Sequence, residues 1–182
     1  MPRNNIIVGE HRRKIYELDA KMVAYYRRNP CIASEDLLGI KPFDAQKYIL
    51  QNSWNASISV WCCCRDFGKS FLGTVIILLK AMLYENQAIY IISNKGDQSK
   101  ETFSKLESQV LRIGKAAQSI KSLTDIPASE TKKTPTNKTG FSHNPGGYHV
   151  EFYNGSEIFT LNGIPDNFRG KKCTIASLTG NS

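Results

Sequence analysis

Val60-Trp61-Cys62-Cys63-Cys64-Arg65-Asp66-Phe67-Gly68-Lys69-Ser70-Phe71-Leu72 runs from an apolar stretch through Gly-Lys-Ser into a second, longer apolar segment. It reads as a phosphate-binding loop. Such a loop turns backbone N–H groups inward around phosphate oxygens, extends a lysine to the β- and γ-phosphates and presents a hydroxyl to Mg²⁺. Gly68, Lys69 and Ser70 supply these in order. A helix starting here adds its unpaired amides and the positive end of its dipole, an anion site before any side chain is counted. One position departs from the usual spacing, because Cys63 stands where the first glycine of the pattern normally falls.

The flanks decide the fold class. Residues 57–64 (Ser-Ile-Ser-Val-Trp-Cys-Cys-Cys) are β-branched, aromatic and small apolar types and predict a buried parallel strand. Downstream, Phe71, Leu72, Val75, Ile76, Leu78, Leu79, Met82 and Leu83 make residues 69–85 apolar nearly all round, as suits a helix packed deep against a sheet. Ala88-Ile89-Tyr90-Ile91-Ile92-Ser93-Asn94 is a second buried-type strand, and a polar-faced helix follows from about Gln98 to Lys115. This βαβα order predicts a parallel, three-layer α/β sheet with right-handed crossovers.

Further out the text is less dense. Residues 8–29 predict a solvated amphipathic helix ending at Asn29-Pro30, and a short helix over Ser34–Leu38 would use Ser34 as its cap, with Glu35 and Asp36 in its first turn. Pro42-Phe43-Asp44-Ala45-Gln46-Lys47-Tyr48-Ile49-Leu50 begins another helix. Residues 121–147 are rich in Thr, Lys, Ser, Pro, Asn and Gly and predict a loop or insertion. Tyr148–Tyr153 and Ser156–Leu161 flank Asn154-Gly155, a strong two-residue hairpin turn. Cys173-Thr174-Ile175-Ala176 starts a further strand, and there is no internal repeat.

At 182 residues the chain holds one ordinary domain plus an appendage. A net charge of +8 and a pI near 9.3 favour polyanionic partners, nucleotide and nucleic acid alike. The five cysteines form no C-x-x-C pair, and three neighbours in a strand alternate faces, so no zinc site is implied. They read as apolar filler in a reducing compartment. Lys80 interrupts the apolar stretch after Thr74, which is far too short for a bilayer, and the charged N-terminus has no signal-peptide pattern. A soluble intracellular protein without membrane contact is expected.

Several ordered segments resemble the ATPase domain of the large terminase subunit, the motor that packages DNA into the heads of tailed bacteriophages. The likeness covers roughly residues 25–176. Asn29-Pro30 with Glu35-Asp36-Leu37-Leu38-Gly39-Ile40 resembles the family's lead-in, and Gln46 falls where its adenine-recognising glutamine lies. Cys64-Arg65-Asp66-Phe67-Gly68-Lys69-Ser70 is similar to the family's variant phosphate loop, in which the first glycine is replaced and an arginine stands three residues before the remaining one. Ser93-Asn94-Lys95-Gly96-Asp97-Gln98 with Phe103, the hairpin Phe152–Ile158 and Arg169-Gly170 resemble later segments of the same domain.

The resemblance implies a three-layer P-loop NTPase of RecA-like type: a helical lead-in over 1–50, the nucleotide domain over 51–176 with an insertion at 121–147, and a tail at 177–182. ATP and Mg²⁺ are the implied cofactors. Lys69 and Arg65 would be the catalytic, phosphate-holding pair. Gln46, Cys64, Arg65, Asp66, Phe67, Gly68, Lys69 and Ser70 would bind nucleotide, with the Ser70 hydroxyl on Mg²⁺. The implied partners are double-stranded DNA, the small terminase subunit and the portal protein, with a homo-oligomer on the portal, in the cytoplasm of an infected bacterium. Hydrolysis in this superfamily uses an apolar strand ending in Asp-Glu. No Asp-Glu pair follows Cys173–Ala176, and the family's nuclease domain has no counterpart, so nucleotide binding with poor hydrolysis is expected of this chain alone. Ser177-Leu178-Thr179-Gly180-Asn181-Ser182 looks like the opening block of an intein, and a truncated reading frame accounts for it equally. A helicase-like ATPase and a non-hydrolysing nucleotide- or DNA-binding module stand as alternatives.

Overall fold

Five consecutive buried residues, Ile89 to Ser93, make the strand Ala88–Ser93 (β1) the covered centre of a sheet. The computed structural model describes residues 10–94, 96–112, 119–120, 140–144, 146–164 and 170–179. Helices α1 (Glu10–Arg28), α2 (Pro30–Leu38), α3 (Asp44–Trp54) and α4 (Lys69–Leu83) precede β1. After it come α5 (Gly96–Arg112), β2 (Phe141–Asn144), β3 (Gly147–Glu151), β4 (Glu157–Asn162) and β5 (Ile175–Thr179). The strand order is β2-β3-β4-β1-β5. β1 pairs parallel to both β4 and β5, while β2–β3 and β3–β4 are antiparallel.

One face of this mixed α/β sheet carries the main core. Ile89, Ile91, Phe141, Val150 and Ile158 from the strands meet Leu72, Val75, Leu78 and Leu79 of α4 and Phe103, Leu106 and Val110 of α5. Ala33, Leu38, Leu50 and Trp54 join the same cluster, so α2 and α3 share the core of α4. The described helices all feed this one core. The other face holds a smaller cluster of Tyr90, Ile92 and Leu161, and the second helical layer of a three-layer sandwich is not found among the described residues.

On that second face a ring ladder crosses three strands. Tyr90 stacks on Phe159 at 5.3 Å between centroids, and Phe159 stacks on His149 at 4.4 Å. Burial holds the His149 pKa below its ordinary 6.5, outweighing Glu157 and Glu151, which pull it upward, and Nε2 has no hydrogen-bond partner among the described residues. The sign follows from proton counting. As pH falls through about 6.5 the unfolded chain takes up a proton that the fold refuses, so stability declines until the lower, folded pKa is reached. In His149→Phe the ring stack stays and the titration goes. Denaturation at about pH 7.5 and about pH 5 is therefore expected to show a shallower acid loss in the variant; equal losses would remove His149 as the linked group.

Helix α4 ends without a glycine cap, and its last carbonyls are taken by neighbours instead. The Tyr84 N–H donates to Lys80 C=O at 3.1 Å, and Arg27 Nε donates to Leu83 C=O at 2.7 Å. Asn154 Nδ2 donates to Ala81 C=O at 2.8 Å and to Tyr84 C=O at 3.1 Å, while Ser156 Oγ donates to Tyr84 C=O at 2.8 Å. The predicted Asn154-Gly155 turn does join two antiparallel strands, with Gly155 at φ 78°. It also caps a helix.

Four expectations need correction. Residues 57–64 form no strand: Ile58 and Val60 are 86% and 82% exposed, and only Trp61 packs, its Nε1 donating to Ser53 Oγ at 2.8 Å. Their composition suits burial, but a strand exists only with a neighbour to complete its ladder, and no described strand lies beside them. Ser34 caps nothing. Helix α2 starts at Pro30, whose fixed φ and missing N–H suit a first turn, and buried Ser34 donates instead to Ile40 C=O at 2.8 Å. The predicted loop over 121–147 contains β2, which pairs with β3, whereas residues 121–139 lie outside the described set. Finally, Ser177-Leu178-Thr179 continue β5 beside Ile91-Ile92-Ser93 rather than leaving the sheet. Lys95 and Arg169 lie outside the described residues.

Candidate functional site

Between Cys64 and α4 the backbone makes a tight reversal. Asp66 has φ 64° and Gly68 φ 87°, both left-handed. Aspartate visits this region more readily than most residues. Gly68 is constrained twice, because a Cβ there would also sit 3.0 Å from Gln46 Nε2. The first helical bond of α4 runs from Leu72 N–H to Gly68 C=O at 2.9 Å. The amides of Lys69, Ser70 and Phe71 therefore have no intrahelical acceptor and lie at the positive end of the dipole.

Gln46 fixes the loop from outside. It is 7% exposed, its Nε2 donates to Phe67 C=O at 3.2 Å, and its Oε1 accepts from Phe43 N–H at 3.4 Å. Phe43 and Phe67 meet edge to face at 5.4 Å, a second tie between the start of α3 and the loop. Lys69 folds back over its own loop, with Nζ donating to Cys63 C=O at 3.0 Å and Cys64 C=O at 2.9 Å. Two carbonyls thus hold the ammonium against the segment that leads into the loop.

Of the sequence-predicted residues, the structure brings Gln46 against Phe67 and Gly68, and Lys69 onto the Cys64 carbonyl, in two contacts of the network of loop bonds. Arg65, Asp66 and Ser70 are exposed on the same loop and are outside that network. Sequence reasoning passed over Phe43 and the Cys63 carbonyl. The first was findable, since Phe43 to Gln46 is the N-cap to N3 spacing at which a glutamine returns to its cap. An ammonium and open helix amides form an anion site by chemistry, with Ser70 as the hydroxyl of the first turn. Among the described residues no group of three or more His, Cys, Asp or Glu side chains could hold a metal by itself. No described helix is long and apolar enough to cross a membrane. Beside Phe71 a cavity of about 340 Å³ opens against Ser104, Ser108, Gln109 and Arg112 of α5.

Neither a known sequence family nor a curated protein matches the chain. Among solved structures it is similar to the large terminase ATPase domain of Thermus phage P74-26, with a TM-score of 0.53 and 19% identity. The chain shares that domain's fold. The match covers 79% of this chain and 55% of that one, so the chain spans about half the length of its structural neighbour.

Proposed function

We propose that the chain is the ATP-binding motor region of a large terminase subunit, which couples nucleotide turnover to translocation of viral DNA into a prohead. The observation that carries this reading is the Lys69 ammonium folded onto the loop carbonyls of Cys63 and Cys64 at the start of α4, with Gln46 bonded to the same loop, on a sheet of terminase ATPase type. The donors fit a polyphosphate. A cation and helix amides match phosphate oxygens, and the left-handed glycine at 68 lets Gln46 approach the loop where a Cβ would crowd it.

In this reading Lys69 exchanges its two carbonyls for phosphate oxygens, Arg65 adds a second cation, and the amides from Asp66 to Lys69 line the cradle. Ser70 would hold Mg²⁺, which when bound neutralises phosphate charge and fixes the phosphates in place. Gln46 would recognise adenine, and its bond to Phe67 C=O then links base recognition to loop shape. The sandwich's second layer belongs to this proposal as well. Double-stranded DNA, the small subunit, the portal protein and a homo-oligomer on the portal are the proposed partners, in the cytoplasm of the infected host; the +8 charge supports a polyanion.

Calorimetry of Mg·ATP on the chain beside Lys69→Ala tests the reading. Loss of charge-assisted phosphate bonds is expected to weaken binding about 10–100-fold. Equal affinity in the two proteins would overturn it. Phosphate release in the same buffer separates a hydrolysing motor from a pure binding module, and the bond network around Lys69 requires only the binding.

A further inference from the structure

The three thiols before the loop are not equivalent. Cys62 and Cys64 are exposed and Cys63 is half-buried, so two exposed thiols stand two residues apart. Among the described residues no strand ladder holds this segment. The carbonyls of Cys63 and Cys64 are the groups that hold Lys69 Nζ. A change of chain direction at Cys63 thus moves the lysine's anchors.

We propose that Cys62 and Cys64 form a redox modification site, a thiol pair that closes to a disulfide by exchange with a low-molecular-weight disulfide and thereby deforms the phosphate loop. The coupling to nucleotide rests on the phosphate-loop reading given above. The steps balance. The Cys64 thiol loses its proton to solvent and attacks one sulfur of the small disulfide, forming a mixed disulfide and expelling one small thiolate, which takes up a proton. Cys62, deprotonated in turn, attacks Cys64 Sγ, forming the Cys62–Cys64 bond and releasing the second small thiol. Two cysteines are oxidised, and one small disulfide is reduced to two thiols.

Geometry makes closure consequential. Two steps of extended chain separate Cα atoms by about 6.6–6.8 Å, at the upper limit of the roughly 4.4–6.8 Å that disulfides span. Closure locks Cys62, Cys63 and Cys64 into one small ring, and with it the directions of the Cys63 and Cys64 carbonyls. A bond formed under such strain is readily reduced, as a reversible modification requires.

The test treats the whole chain and a Cys62→Ser variant with oxidised glutathione, maps the peptides by mass spectrometry and measures Mg·ATP affinity before and after. The expected wild-type product is a peptide lighter by two hydrogens and free of glutathione, with fragment ions assigning the bond to Cys62 and Cys64. Affinity should fall about tenfold or more, return with dithiothreitol, and hold in the oxidised variant. A mixed disulfide that never closes, an equal loss in Cys62→Ser, or a closed disulfide without loss overturns the proposal. A reduced wild-type chain that binds no Mg·ATP overturns the phosphate-loop reading instead, and the peptide map then decides the thiol pairing by itself.

Discussion

Replacing Trp54 with alanine is expected to lower the unfolding free energy by about 3–5 kcal/mol, the range for removing a buried aromatic and leaving its cavity. Three of the four helices before β1 converge on this ring. Trp54 is 2% exposed, and its Nε1 donates to Arg27 C=O at 2.7 Å, satisfying a carbonyl in the last turn of α1. Lys80 of α4 lies 4.3 Å over the indole, and Tyr84 packs against it at 6.3 Å between centroids. Arg27, anchored by the same turn, reaches over Tyr84 at 4.7 Å while donating to Leu83 C=O. Removal therefore orphans a carbonyl, takes from a half-buried ammonium one of its two aromatic faces and opens a void. Trp54→Phe keeps most of the apolar contact and loses chiefly the hydrogen bond, so its cost should be about 1–2 kcal/mol. Urea denaturation of the three proteins checks the order. An alanine variant no worse than the phenylalanine one would show that packing at this ring does not join the lead-in helices to α4.

What could be read from the chain, and what could not, divides along one physical line. Segments that specify themselves locally were legible: α4 from its apolar girth, β1 from its continuous buried run, and the hairpin from Asn154-Gly155. The loop was legible for the same reason, since a glycine at φ 87° and the amides after it are properties of a short stretch. Residues 57–64 were misjudged because strand character is a property of pairs. Ser-Ile-Ser-Val-Trp-Cys-Cys-Cys has the composition of a buried strand, yet nothing within it says which neighbour completes the ladder. β2 was missed from the opposite side. Phe-Ser-His-Asn is a poor strand by composition and becomes one through β3, with Phe141 packed edge to face on Phe103 and His143 bonded to Glu107 of α5 at 2.8 Å.

The candidate site shows the same division. Gly68, Lys69 and Ser70 announce themselves, but the residue that shapes the loop, Gln46, lies more than a helix away in sequence. Its importance comes from a single donated bond to Phe67 C=O together with the contact of Phe43 on Phe67. The family resemblance implies for Gln46 a role toward a base, and the geometry shows a contact with the loop. The two are compatible, because one nitrogen carries the loop contact and a shift of α3 would be felt at Gly68 through the same 3.0 Å approach.

Asn154→Ala should destabilise the fold by about 1–3 kcal/mol, because the Ala81 and Met82 carbonyls of a partly buried helix end lose this donor and the Tyr84 carbonyl is left with Ser156 Oγ. The amide reaches Ala81 C=O at 2.8 Å and Tyr84 C=O at 3.1 Å, and its own oxygen accepts from Ser156 N–H at 3.1 Å, so one side chain closes the hairpin and the end of α4 at once. Asn154→Asp discriminates this from simple turn preference. Aspartate keeps the acceptor and the turn propensity, but it replaces the donor with a negative charge at the negative end of the α4 dipole. It is therefore expected to be at least as damaging as alanine, whereas a residue valued only for its turn would tolerate it. Gly155→Ala should also destabilise, since φ 78° disfavours any side chain and a Cβ would run into the Asn86 side-chain oxygen. All three substitutions lie at the end of α4 opposite the loop. Denaturation midpoints should fall while Mg·ATP affinity of the folded fraction holds, and a parallel loss of affinity would mean that the hairpin positions the phosphate loop itself rather than the far end of the helix behind it.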